Sequence, residues 1–376
     1  MSKSIFIGGV AVVVLALAGF GGWLLSLPSA STAAEAPPVP QHEQDDMPAA
    51  LKPAKRARPL VAMIGINDAT ETTDYLMPYG ILRRADIADV MLLATGAGNV
   101  KLFPALTVQS QATIIDFDAA HPDGADYVIV PQMSRDDDLA ALQWIKDQAA
   151  KGATIIGVCA GARIVANAGL LDGKRATTHW YYVDEMLKTH PAIKYVRDRR
   201  LVVDGKVATT TGVTASMPMM LTLIEAIAGR DKAEAVAKNL GLARWSAAHN
   251  SHAFQFTRPF AQTVLRNTVA FWNHETLGIE LTPEVDEVSL ALVADAWSRT
   301  YRSRAVTFAR TDEVQQTRNG LRVLPDRVAM EWPDQRRLAI GDQAPAKALD
   351  EALAAIETRY GRRTAHFVAM QLEYPR

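Results

Sequence analysis

Cys159 is the only cysteine in the chain, and it closes the run Thr154-Ile155-Ile156-Gly157-Val158, an apolar, β-branched stretch that reads as a buried strand. Ala160 and Gly161 follow, and a helical pattern starts at once with Ala162-Arg163-Ile164-Val165. A thiol at the apex of a strand-to-helix turn, flanked by small residues, has the geometry of a nucleophile elbow. The N–H groups and dipole of the following helix favour the thiolate there, the form that attacks electrophilic carbon or is oxidised. The alternative is a buried cysteine packing as a small hydrophobe. The strand–Cys–Ala–Gly–helix context favours the elbow.

The elements that must hold this turn are legible as alternating strands and helices. Leu60 to Ile66 reads as a buried parallel strand, followed by a helix over 74–85 and a strand Val90 to Ala94 that ends at Thr95-Gly96. Tyr127 to Pro131 is a further strand. A helix over 136–150 carries Leu139, Leu142, Ile145 and Ala149 on one face, and Gly152 closes it before the elbow strand. The expectation is a flavodoxin-like α/β fold, a mostly parallel sheet between helices, with ligands bound beyond the strands' carboxyl ends. There Asp74 is either a first-turn or N-cap acid of its helix or a site residue facing the thiol.

A wider set of residues around the thiol carries a resemblance. The segment from Cys159-Ala160-Gly161 through Gly169-Leu170-Leu171-Asp172-Gly173 to Thr177-Thr178-His179-Trp180 resembles the DJ-1/PfpI superfamily. So do Thr73-Asp74-Tyr75-Leu76-Met77-Pro78 and Asp204-Gly205-Lys206 through Thr214-Ala215. The blocks cover about residues 58–240 in the family's order and are most similar to the branch of isocyanide hydratases and AraC-type regulator sensor domains. The resemblance implies that the Asp74 carboxyl hydrogen-bonds Cys159, and that the two share a titration. It implies a histidine near the thiol at His179. Ala160, Gly161, Trp180 and Gly96 are the expected pocket residues. Three departures bear on activity. Peptidase-type members carry histidine directly after the cysteine and isocyanide hydratases carry threonine, whereas Ala160 stands here. The third block runs on as Ser216-Met217-Pro218-Met219, where related regulator domains continue with Gly and Asp.

Residues 241–376 repeat the strand–helix–strand order: a helix over 287–300, strands at 304–309, 321–325 and 337–341, a helix over 346–359, and a strand over 364–371. Ala88 to Ala94 parallels Ser303 to Ala309, and Tyr127 to Ala160 parallels Arg337 to Met370, which sets Ala369 against Cys159. This part is either a smaller α/β domain of its own or a degenerate, cysteine-less repeat packed on the first domain as a second subunit would be. His249, His252, His274 and Glu275 form no spacing that fixes a metal, and the His42, Glu43, Asp45, Asp46 run reads as solvated. No metal or cofactor is expected.

Net charge of −1 and pI near 6.7 exclude an electrostatic nucleic-acid footprint, and no helix-turn-helix is recognisable. After a short tail over 1–4, Ile5 to Leu27 has no charged side chain and is long enough for a membrane-spanning helix. Lys3 before it and Lys52 well after it place the body outside the cytoplasm, at a plasma (inner) membrane. Residues 28–58, rich in proline, alanine and charge, read as a disordered linker, and 59–240 as the elbow domain. The reading is a membrane-anchored protein whose Cys159 acts on small electrophilic molecules. The alternative is a non-catalytic ligand or redox sensor, as a homodimer or an intrachain pseudo-dimer.

Overall fold

Strand β1, Leu60–Gly65, is buried at every position, as an uninterrupted apolar run requires of a strand covered on both faces. A computed structural model describes the chain over residues 18–29 and 35–375. Helix α1 (Gln41–Ala50) precedes β1; after it come β2 (Asp68–Glu71), α2 (Thr72–Ala85), β3 (Asp89–Ala94), β4 (Asn99–Phe103), β5 (Thr107–Gln109) and β6 (Ala112–Thr113). Then follow β7 (Tyr127–Val130), α3 (Leu139–Ala150), β8 (Thr154–Gly157), α4 (Gly161–Asn167), β9 (Leu201–Asp204), β10 (Val207–Thr210) and α5 (Ser216–Ala228). The rest of the chain gives α6 (Arg258–Val269), β11 (Glu275–Glu280), α7 (Glu287–Ser298), β12 (Ser303–Ala309), β13 (Gln315–Gln316), β14 (Arg322–Leu324), β15 (Arg327–Val328), β16 (Arg337–Leu338), α8 (Pro345–Tyr360) and α9 (Arg362–Gln371).

The main sheet has the order β9-β10-β8-β7-β1-β3-β6 and is parallel except for the β9/β10 hairpin. A four-stranded parallel sheet, β15-β12-β11-β16, lies in the C-terminal part. A third sheet, β13-β14-β5-β4-β2, joins the two parts through the antiparallel pair β14/β5. One apolar cluster runs through both, holding Leu76 and Leu82 of α2 with Leu290 of α7 and Leu353 of α8. A second lies on the other face of the main sheet, under α3 and α4. Helix α2 is therefore covered by the sheet on one side and by α7 on the other, so nearly all of its residues are buried.

Three expectations are corrected. The single-pass membrane helix over 5–27, and the plasma-membrane placement drawn from it, is not supported: among the described residues no helix is long and apolar enough to cross a membrane. Residues 5–17 lie outside the described residues. The described helix over 18–26 instead meets the protein's own surface, with Trp23 tilted on Phe256 at 6.2 Å between ring centroids. Arg258 donates to the carbonyls of Leu25 (2.5 Å) and Leu27 (3.3 Å). The disordered linker over 28–58 contains helix α1, which docks because Glu43 accepts from Arg199 (3.0 and 3.1 Å) and because Met47 and Leu51 are buried. Finally, the strand over 364–371 is helix α9; its Ala365, Phe367, Val368 and Ala369 are buried, but at helical phase.

Candidate functional site

Cys159 sits two residues beyond the end of β8 and one before the N-cap of α4, with φ +57°. A non-glycine residue held in the left-handed region costs on the order of 1–3 kcal/mol and persists where its surroundings over-determine it. Those surroundings are visible. The Cys159 N–H donates to Thr210 Oγ1 (2.9 Å), and Thr178 Oγ1 donates to the Cys159 carbonyl (3.2 Å). The Val158 N–H donates to the Val130 carbonyl (2.9 Å), which ties the turn to β7. The small residues have a steric reason: a Cβ on Gly161 would lie 2.0 Å from the Val130 carbonyl oxygen, and one on Gly157 would lie 2.9 Å from Ala162 backbone. Ala160 and Gly161 thus build the turn from beneath and do not line the cavity above it.

Two carboxyls from the start of α2 face this turn. Glu71 is the N-cap, its carboxylate accepting from the Asp74 N–H at 2.6 Å. That leaves the Asp74 side chain clear of capping, which decides against its reading as a plain cap. Asp74 Oδ2 accepts from the Gln132 N–H (3.2 Å), whereas Oδ1 closes no hydrogen bond of ordinary geometry. The Cys159 thiol is the neighbouring donor acting on this carboxyl. Burial, offset in part by the Gln132 N–H and Arg299, pushes Asp74 up to about 7. Glu71 is held well above the carboxylate range by burial and by Asp74 and Asp295.

The thiol is also pushed up, by burial first and then by the charges of Asp74, Glu71 and Glu373; the Ala160 N–H acts the other way. This is the reverse of what the helix N-terminus alone predicts. Desolvation and three carboxyls outweigh one turn of helix, so the Cys159–Asp74 pair holds its proton into the neutral range.

Arg299, just past the end of α7, enters the site from the C-terminal part. Its guanidinium donates to Glu71 Oε1 (2.5 Å) and Asp295 Oδ1 (2.7 Å), while Thr73 Oγ1 bridges Glu71 (2.9 Å) and Asp295 (3.1 Å). His179, the expected histidine, lies at the cavity wall with both nitrogens engaged. Nδ1 accepts from the Tyr181 N–H (3.2 Å), so Nε2 carries the proton toward the Gln371 carbonyl (3.0 Å). Burial holds its pKa down, and the ring is a neutral structural donor with no nitrogen left to take the thiol's proton.

Above the thiol opens a cavity of about 710 Å³. Gln132, Tyr182, His179 and Arg299 are among its polar groups; Phe256, Phe260 and Val264 roof it, and Trp180 and Trp23 stand at its side. Trp180 belongs to the wall. Gly96 does not line it; its backbone is tied to Asn67 by bonds of 2.8 and 3.0 Å. Among the described residues no group of three His, Cys, Asp or Glu could hold a metal. His249 instead faces Glu373 (3.5 Å) and His274 Nε2 meets the Asn267 carbonyl (2.9 Å). Glu71, Gln132, Tyr182 and Arg299 were not among the expected site residues. The signal for Glu71 was its place three residues before Asp74, the spacing of an N-cap to its bonded N–H.

Residues 61–226 match the model of the DJ-1/PfpI family. Isonitrile hydratase from Pseudomonas putida is 44% identical over 100 residues, 27% of this chain and 42% of that protein. The HTH-type transcriptional regulator CdhR of Pseudomonas aeruginosa is 36% identical over 105 residues, 28% of this chain and 31% of that protein. The matched region spans less than half the length of either relative. Among solved structures, a DJ-1 superfamily protein from Salmonella typhimurium covers 50% of this chain and all of its own, at 22% identity and a TM-score of 0.44.

Proposed function

We propose that this chain, which carries a DJ-1/PfpI family domain over residues 61–226, uses Cys159 and Asp74 as a thiol–carboxyl pair that adds to small, apolar electrophiles. The observation that carries the reading is the strained thiol at φ +57° beneath a largely apolar cavity, beside a carboxyl whose Oδ1 is otherwise unbonded. Asp74 takes the thiol proton as sulfur bonds to the electrophilic carbon, then returns it to the adduct; water releases the product and restores the thiol. Addition of water to an isonitrile carbon is the precedent offered by the Pseudomonas putida relative. Ala160 brings no hydroxyl to this step, so Gln132 and Tyr182, which meet at 3.4 Å on the cavity wall, are the groups placed to orient a substrate.

A second reading, a ligand sensor without turnover, is favoured by one observation: the thiol is buried and held protonated, which slows nucleophilic attack and oxidation alike. The test offers the full chain a panel of apolar isonitriles and aldehydes. Multiple turnovers lost in Cys159→Ala and cut by at least about a hundredfold in Asp74→Asn support the catalytic pair. One equivalent of modification without turnover selects the sensor. Neither turnover nor modification overturns both.

A further inference from the structure

Residues 60–113 and 275–328 carry matching strands at one offset, 215 positions (60 to 275, 113 to 328). Strand β1 answers to β11, β5 to β14 and β6 to β15 without insertion or deletion. The registers repeat. Leu93 faces Ala112 as Phe308 faces Arg327, and Val100 faces Val108 as Gln315 faces Val323. The strained positions repeat as well: Ala69 and Asp86 have φ of 61° and 49°, and Glu284 and Tyr301, at the same offset, 69° and 55°. Sheet order β7-β1-β3-β6 is matched by β16-β11-β12-β15.

The two segments meet as copies related by a two-fold meet, each surface contacting its own counterpart. Val108 of β5 pairs antiparallel with Val323 of β14, and α2 packs on α7. The ion pairs are reciprocal: Arg84 of α2 reaches Asp286, the N-cap of α7, and Arg299 reaches Glu71, the N-cap of α2. The chemistry is not reciprocal. Ser289 stands where the first segment has Asp74, and helix α9 occupies the stretch that would have to supply an elbow.

We infer that residues 275–328 are a degenerate second copy of residues 60–113, and that Arg299, delivered by this copy, is a positioning residue of the single Cys159 site. The ionisable groups around the thiol are Glu71 and Asp74 from α2, Asp295 and Arg299 from the α7 end, Glu373 from the C-terminal tail, and His179 with Tyr182 from the cavity wall. Of these Arg299 alone carries a permanent positive charge. It offsets Glu71 and Asp295, so that the field opposing transfer of the thiol proton to Asp74 is smaller than that of the unpaired carboxyls.

The inference rests on Cys159 being the reacting group, but its test needs no substrate. It reads the pH midpoint of Cys159 alkylation by iodoacetamide in the full chain. Arg299→Met raises the midpoint by on the order of one pH unit, and Arg299→Lys restores most of it. Arg84→Met, which breaks the reciprocal pair away from the thiol, leaves the midpoint unchanged while lowering thermal stability comparably. Equal midpoints in Arg299→Met and Arg84→Met overturn the inference. If Arg299→Met does not fold, Glu71→Gln/Arg299→Met is compared with Glu71→Gln; a higher midpoint in the double variant supports the role, and equal midpoints refute it. Absence of turnover would sink the catalytic reading and leave this one standing.

Discussion

Helices α2 and α7 open alike: Glu71 and Asp286 each cap the helix, accepting from the N–H three residues on, and each cap takes an arginine from the other half of the molecule. They part at that third residue, where α2 has Asp74 and α7 has Ser289, both fully buried. The caps and arginines hold the two helices together, so they occur on both sides. A further buried carboxyl stabilises nothing by itself, because desolvation opposes its charge. At this position it is present only on the side that faces the thiol. The difference supports the proposed role of Asp74, with Glu71 as the residue that positions it.

The largest effect belongs to the elbow, which α7's half lacks. Gly161→Ala sets a Cβ against the Val130 and Pro131 carbonyls, and more than about 3 kcal/mol of stability should be lost together with thiol reactivity. Denaturant unfolding within about 1 kcal/mol of the parent would mean the turn can relax. Next is Asp74→Asn. A carboxyl raised to about 7 in the fold, against an ordinary value near 4, contributes stability below that ordinary value and loses it as pH rises through 7. The parent should therefore fall relative to the variant by about 4 kcal/mol between pH 4 and pH 8. A pH-independent difference would show that Asp74 titrates in the fold as it does in the unfolded chain. Smaller is Ser289→Asp, which gives α7 the acid without the thiol. It should cost about 2 kcal/mol at pH 7 and less at pH 4, with Cys159 alkylation unmoved; an unchanged melting temperature at pH 7 would mean that the α7 side can pair a carboxylate.

Where sequence and structure disagree, the signals were short or ambiguous. Thr364 to Gln371 mixes β-branched, aromatic and small residues over eight positions, too few to separate a strand from a buried helix by periodicity. Packing decided it: Ala365, Phe367, Val368 and Ala369 meet the core cluster of α7 and α8. The polar segment over 41–50 has no apolar period, and becomes helix α1 because Arg199 and Arg175 receive Glu43. The apolar run at the N-terminus looked long enough to span a membrane, yet its described part rests on Phe256 and Arg258.

What the sequence by itself determined is local. Uninterrupted apolar runs make β1, β7 and β8, and the Cys-Ala-Gly turn makes the elbow, since only small residues clear the β7 carbonyls. The helix of α3 was legible, but its buried face is Ala141, Trp144, Ile145 and Gln148, with the expected Leu139 exposed. Motif resemblance added Asp74. The tertiary structure alone decided what surrounds the thiol: Arg299, the roof from α6, the commitment of His179 to Tyr181 and Gln371, and a desolvated thiol in place of a thiolate. Spacing along a chain fixes the neighbours within one turn of helix or strand. The field and solvent at a site come from groups hundreds of residues apart, and only the packed halves bring those together.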